Sequence, residues 1–250
     1  MPTSPPNPMR SLDRAIDVLE VLEAAPRGMR LTEIARESGL HVATALRILN
    51  ALQARGRVEH DGTHYRAGVA LLFGAHAYLT TSPLVAAARP VLQDLASETG
   101  LASSVFVRTG RHRAVIARVE GSNPLRYELP VGERLPLHLG AGKVLAAALS
   151  PAELDQLISD VAPFQTAGGR EITAEQLRDE LATVAAKGYA ASESERVLGA
   201  RSVAAPVKDS EGRIVAAIQV AGNDASFPVE RLNTVSATVR NAAQALSRRL

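Results

Sequence analysis

The sequence predicts an α+β protein of two parts, an N-terminal winged helix-turn-helix followed by a larger domain built on one antiparallel sheet. Three observations predict it. Residues 31–57, LTEIARESGLHVATALRILNALQARGR, read as two short helices broken at Ser38-Gly39-Leu40, the pattern of a helix-turn-helix. A hairpin signal centred on Asp61-Gly62 follows it. From Leu101 the apolar pattern shifts from helical spacing to period two, the period of strands whose two faces differ.

Composition fits this frame and removes several alternatives. A chain of 250 residues is long enough for two domains. With 46% hydrophobic and 22% charged residues it matches neither a disordered nor a fibrous protein. The formal net charge is only +2, so no global basicity points to nucleic acid. Cysteine is absent, which excludes disulfides, thiolate metal sites and cysteine nucleophiles and fits a reducing compartment. The opening residues 1–9 are proline-rich without an apolar centre and read as a disordered tail, not a signal peptide. No apolar run approaches the ~18 residues a membrane helix needs, and the expected location is the cytoplasm.

The winged unit is expected over 10–68. In SLDRAIDVLEVLEA, Leu12, Ala15, Ile16, Leu19 and Leu22 share one face behind a Ser11 cap, opposite Asp13, Asp17, Glu20 and Glu23. That acidic face would be repelled by phosphate, so this first helix should pack behind the other two. Thr32 is the expected cap of the second helix, with Ile34 and Ala35 inward. In the third, Ala45, Ile48, Leu49 and Leu52 form the buried stripe, which leaves His41, Val42, Thr44, Arg47 and Asn50 outward. From Ser38 to Val58 there are three arginines (Arg47, Arg55, Arg57) and no carboxylate, so the local field is positive. RVEHDGTHYRAG then supplies two short strands, the wing.

Residues 69–82 are expected to form a connecting helix. Val69, Leu72, Phe73, His76 and Leu79 would expose an apolar stripe in a monomer, so this helix should pair with a second copy. Over 83–250 the pattern gives a long helix from Leu84 to Glu98 ended by Gly100, then strands ASSVFVRTG, RAVIARVEG and LRYELPVG. Helices follow at about 141–149, 151–158 and 174–187, then strands SVAAPVKD and RIVAAIQVAG, and a final helix from Val229 to Leu250. Strands flanked by long terminal helices make an α+β domain with one antiparallel sheet.

These blocks, in this order, resemble the IclR family of bacterial transcriptional regulators over nearly the whole chain. SLDRAIDVLEVL, LTEIARESGL with Thr44, Arg47 and Leu49, and Tyr65-Arg66 with Gly68 are similar to the family's reading domain. RLPLHLGAGKVLAA and KGYAASESERVLGARSVAAPVKDSEGRIVAAIQVAG, with Glu195 and Gly199, look like its two signature blocks. The resemblance implies a GAF-like effector-binding domain and assembly as a homodimer or a dimer of dimers. It also implies an effector pocket lined by Gly140, Ala141, Ser192, Ala200, Ser202, Gln219 and Ala221. Leu46 and Ser202 stand where the family often has other residue types, and Ser192, Gln219 and Ala221 likewise depart from the pocket of some members.

The expected function is that of a ligand-responsive regulator of a catabolic operon, repressor or activator, bound to double-stranded operator DNA. An α-helix fits the major groove, where a bidentate arginine on guanine is the commonest specific contact. Arg47 is the first candidate for it. His41, Val42, Thr44 and Asn50 are its neighbours, and Thr63 and Arg66 of the wing would touch backbone or minor groove. Gly140-Ala141-Gly142-Lys143 follows a strand-like segment and opens a helix, so its free N–H groups would favour an anion such as the carboxylate of a small organic acid.

Other chemistries fit less well. The GAGK segment has Leu137 and Val144 where a phosphate-binding loop needs glycine and Ser/Thr. His60 and His64 bracket the hairpin tip with no third ligand in view, so no metal and no cofactor are expected. His138 with Glu193 or Glu195 is an imaginable acid/base pair, but nothing brings them together in sequence and there is no G-x-S-x-G nucleophile; no catalytic residue is assigned. A ligand-independent architectural DNA binder, or an enzyme acting on a small acid, are the alternatives.

Overall fold

The computed structural model describes residues 9–122 and 129–250. The tail expected over 1–9 lies outside them except for Met9, and so does the first half of the strand expected over 125–132. The backbone divides into two compact units, residues 1–78 and 79–250.

In the first unit, α1 (Arg10–Ala24), α2 (Leu31–Glu37) and α3 (Val42–Gln53) precede a hairpin of β1 (Val58–His60) and β2 (Tyr65–Ala67). The α1 stripe differs from the expected one. Val18 and Leu22 are buried, whereas Leu12 and Ile16 remain about half exposed. At 100° per residue Ile16 stands across the helix from Val18, so a stripe centred on Val18 and Leu22 turns it outward. The caps differ as well. Met9, not Ser11, precedes α1. Arg30, not Thr32, precedes α2, whose start is closed by the Glu33 carboxylate accepting the Arg30 N–H at 2.6 Å.

The break between α2 and α3 forms as expected. Gly39 has φ +64, Leu40 N–H donates to Ala35 O at 2.8 Å and Gly39 N–H to Arg36 O at 3.1 Å. This paired closure needs a left-handed residue at the glycine position. Val18, Leu22, Ile34, Leu49, Val58 and Tyr65 then make the unit's core. The wing turns over the four residues 61–64, longer than a two-residue loop, because Asp61 Oδ1 accepts the N–H groups of Thr63 and His64 at 3.0 and 2.8 Å. Met29 joins Tyr65 through an isolated antiparallel bridge beside the hairpin.

Helix α4 (Leu71–Thr81) buries none of its residues, and Leu72 and Phe73 are 64% and 71% exposed. Ser82 caps α5 (Pro83–Thr99) through the Val85 N–H, and Gly100 at φ +71 ends it. Strands β3 (Ala102–Thr109), β4 (His112–Val119) and β5 (Arg134–Pro136) follow. Helices α6 (Ala141–Ala146) and α7 (Pro151–Val161), the small β6 (Phe164–Gln165) and β7 (Glu171–Ile172), and α8 (Ala174–Lys187) come next. The unit finishes with β8 (Ala190–Glu193), β9 (Ala200–Lys208), β10 (Ile214–Asn223), a 3-10 turn at Val229–Arg231 and α9 (Leu232–Ser247). Of the strand expected over 125–132, the described residues Leu129–Gly132 are not extended into the sheet, and the edge is instead β5.

Six strands form one antiparallel sheet in the order β5-β4-β3-β10-β9-β8. Period two along the strands sorts side chains to two cores. Val105, Val203, Ala205, Ile218 and Val220 meet residues of α5 and α9 on one face. Phe106, Val115, Ala204 and Ala217 meet α6, α7 and α8 on the other. Helices on both faces of the antiparallel sheet give the α+β, GAF-like architecture. The second of these faces holds the cavity described next. No single helix among the described residues is long and apolar enough to cross a membrane.

Candidate DNA-reading helix and effector cavity

The outer face of α3 has the composition a nucleic-acid reader needs. Ala45 and Leu49 are fully buried, which fixes the helix rotation and turns His41, Val42, Arg47 and Asn50 to solvent, with Thr44 half-buried. Leu46 is also partly exposed, at 37%. No ion pair holds Arg47 among the described residues, and Arg55, just past the end of α3, donates back to Ala51 O at 3.2 Å. The face therefore presents cationic and small polar groups without a carboxylate. In the wing, Thr63 is exposed while Arg66 donates to Glu59 at 3.0 Å. His60 stacks on Tyr65 with ring centroids 4.0 Å apart, which makes it part of the wing packing. Among the described residues no group of three or more His, Cys, Asp or Glu side chains converges to hold a metal.

In the second unit a cavity of about 40 Å³ lies between the sheet and the start of α6. Six of the seven residues expected to line a pocket surround it: Gly140, Ser192, Ala200, Ser202, Gln219 and Ala221. The topology explains their meeting. Ser202, Gln219 and Ala221 sit on adjacent strands with Ser202 paired to Ala221, and Ser192 is paired to Ser202 across β8 and β9, their hydroxyls 2.7 Å apart. Ala141 does not line it; its methyl is fully buried in the core beneath α6.

The expectation of free N–H groups at the start of α6 is not met. Gly140 N–H donates to Glu195 Oε2 at 2.9 Å and Ala141 N–H to Gln219 Oε1 at 3.1 Å. The two side chains occupy the positions a ligand's oxygens would take. Gly142 has a packing role, since a Cβ there would stand 2.2 Å from Leu137 O. Gly140 has φ +51 and ψ −127, a backbone conformation that favours glycine.

Glu195 is buried and is charge-matched by Lys143, which also donates to Glu180 at 2.6 Å. Burying these charges is tolerable because each is paired and hydrogen-bonded. The imagined His138–Glu pair does not form: His138 packs edge-on against Phe164 at 4.6 Å, Glu193 pairs with Arg201 at 2.8 Å, and Glu195 is engaged as above. Burial, then the charges of Arg113 and Lys143, lowers the His138 pKa from 6.5 to about 4, so it is neutral at pH 7.

Several cavity residues were not anticipated. Phe106, Leu129, Leu135 and Leu139 form an apolar wall, and Arg113, Arg196 and Arg201 bring positive charge. Arg113 is the most deeply set, 3% exposed, donating to Leu139 O and lying 5.0 Å over the Phe106 ring. The signal for it was parity: Arg113 falls two residues before Val115, on the same buried face of β4.

Known proteins agree with both halves. The family model described as bacterial transcriptional regulator IclR C-terminal matches residues 76–248, and the IclR helix-turn-helix domain matches 11–62. The chain is 32% identical over 242 residues to the HTH-type transcriptional regulator BhcR of Paracoccus denitrificans, covering 96% of this chain and 86% of that one. It is 27% identical over 241 residues to the transcriptional repressor IclR of Escherichia coli K12, covering 94% and 88%. An IclR homolog from Microbacterium hydrocarbonoxydans, solved as a complex with 4-hydroxybenzoate, superposes with a TM-score of 0.72 at 23% identity over 96% of this chain and 98% of its own. On the winged helix-turn-helix, the helix-flanked antiparallel sheet and these matches over most of its length, the chain belongs to the IclR family of bacterial transcriptional regulators.

Proposed function

We propose that this regulator controls a catabolic operon and that a small organic acid, held in the cavity between the sheet and α6, sets its affinity for operator DNA. The observation that carries the reading is one chain holding both a carboxylate-free helix face and an arginine-lined cavity. Arg47 reads the major groove with His41, Val42, Thr44 and Asn50 beside it, and Thr63 and Arg66 of the wing touch backbone or minor groove. Residues 10–68 are the reading domain, 69–82 the connector and 83–250 the sensor. The exposed apolar α4 favours a homodimer, or a dimer of dimers, whose two reading heads meet two half-sites. Its place is the cytoplasm, where operator DNA is.

Support for an acid comes from the positive lining and from chemistry that the fold holds elsewhere: a protein of the same fold, solved with 4-hydroxybenzoate, binds a carboxylic acid. The chain is not an enzyme in this reading, since His138, Glu193 and Glu195 are each committed to other partners. An effector acts only through its different affinities for two dimer arrangements, typically ~1–3 kcal/mol of coupling.

The test is a gel-shift titration of the full chain against DNA upstream of its own gene, repeated with aliphatic and aromatic acids, alongside Ser192→Phe. Ser192 is half-buried on the edge strand β8, so the larger ring fills the cavity mouth without entering the core. Specific binding that an acid changes at least fivefold in wild type but not in Ser192→Phe is the expected result. Specific binding indifferent to every acid would favour an architectural DNA binder.

A further inference from the structure

Two arginines, Arg27 and Arg30, stand on the short segment that joins α1 to α2. Between them Met29 bridges to Tyr65 of β2, each N–H donating to the other's carbonyl at 2.8 Å, so the segment is fixed along the edge of the wing. Segment and wing enclose a cleft of about 300 Å³ lined by Arg27, Gly28, Asp61, His64 and Arg66. We infer that this cleft seats a backbone phosphate of the operator and that Arg27 is the residue that grips it. The contact presupposes the DNA binding proposed above and adds to it a residue outside both α3 and the wing.

Four observations support the contact. The cleft is continuous with the wing residues that meet DNA in the proposed complex, since Arg66 lines it and His64 follows Thr63. Gly28 lets the segment lie close against the wing: a Cβ there would stand 3.0 Å from the His64 Cβ. Arg27 is exposed, and no hydrogen bond or ion pair holds its guanidinium among the described residues. The carboxylates nearby are already engaged. Asp61 Oδ1 accepts the N–H groups of Thr63 and His64, Glu59 accepts from Arg66 at 3.0 Å, and Glu33 closes the start of α2 by accepting the Arg30 N–H at 2.6 Å. Glu33 is held below its ordinary pKa first by that N–H and then, against desolvation, by the charges of Arg27, Arg30 and His64, which therefore share one neighbourhood. A guanidinium fork matches two oxygens of a phosphate, whose charge exceeds what these committed carboxylates offer it. Such a contact fixes the register of the protein on the duplex without reading a base.

The test is a fluorescence anisotropy titration of the full-length protein against two duplexes of equal length, the DNA upstream of its own gene and a scrambled sequence, from about 50 to about 200 mM KCl. Wild type, Arg27→Ala, Arg27→Lys and Arg47→Ala are measured. Arg27→Ala is expected to weaken binding to both duplexes by the same factor, roughly threefold to tenfold, and to flatten the slope of log Kobs against log[KCl] by about 0.9 for each protomer on the DNA. Arg27→Lys, which keeps the charge, retains the wild-type slope and most of the affinity. Arg47→Ala, by contrast, lowers the ratio of operator to scrambled binding. A wild-type salt slope in Arg27→Ala overturns the contact even where affinity falls, because a fall without counterion release marks a structural effect. A loss confined to the operator overturns the phosphate assignment and makes Arg27 a reader of bases. Wild-type protein that binds neither duplex overturns the DNA reading and the contact with it, whereas specific wild-type binding with an unchanged Arg27→Ala slope overturns the contact alone.

Discussion

His138 shows how one residue ties burial to acidity. Its pKa is lowered from 6.5 to about 4, so between those values the folded protein binds fewer protons than the unfolded chain. Stability is therefore full above about pH 6.5 and falls as pH drops toward 4, by ~2 kcal/mol for a half-buried ring. Urea midpoints at pH 7.5 and 5 should separate in wild type, and His138→Gln should narrow the gap; an equal gap in the two proteins would assign the acid sensitivity to other groups. At the reading head, Arg47→Ala removes an exposed side chain with no packing role. Operator affinity should fall by ~1–3 kcal/mol, with helicity and assembly unchanged by circular dichroism and gel filtration; wild-type affinity would move the reader to another residue. Arg47 was legible because helical periodicity separates outward from inward positions. Arg113 and the Lys143–Glu195 pair were not, because a charge inside an apolar strand or helix looks like a solvated one until the fold closes over it.

Turns and caps belong to the scale of elements. Gly39 and Gly142 are both glycines beside or within short helices, but they are required for different reasons. Gly39 needs φ +64 and has open space around it, so Gly39→Ala should cost ~1 kcal/mol, the left-handed penalty alone. Gly142 lies 2.2 Å in Cβ terms from the Leu137 carbonyl, and Gly142→Ala must push α6 off β5's following segment, costing at least about 2 kcal/mol. Chemical denaturation of the two variants ranks them, and a larger loss for Gly39→Ala would contradict the packing argument. Element identity was legible wherever the apolar period ran long, as in α3, α5, α8, β9 and β10. It failed at β8, whose Ala190-Ala191-Ser192-Glu193 carries no alternation of large apolar residues and is a strand only because β9 offers its edge. The α1 stripe failed for a related reason. Apolar residues occur on two sides of that helix, and periodicity alone does not say which side faces Ile34 and Leu49.

For the whole molecule, α4 is the element on which the proposed dimer turns. Leu72 and Phe73 stand 64% and 71% exposed on a helix that buries nothing in the single chain, an arrangement that a second copy would cover. Phe73→Asp should shift the protein toward monomer in sedimentation and weaken operator binding together with it; an unchanged sedimentation coefficient would place the contact elsewhere. The sheet supplies a second consequence. Gln219 and Ala221 face the cavity while Ile218 and Val220, one residue away on the same strand, lie in the opposite core against α5 and α9. Strand β10 is then a two-sided lever. If the proposed effector displaces the Gln219 carboxamide from the Ala141 N–H, the methyl groups of Ile218 and Val220, packed on the opposite face of the same strand, should change their NMR frequencies without touching the ligand.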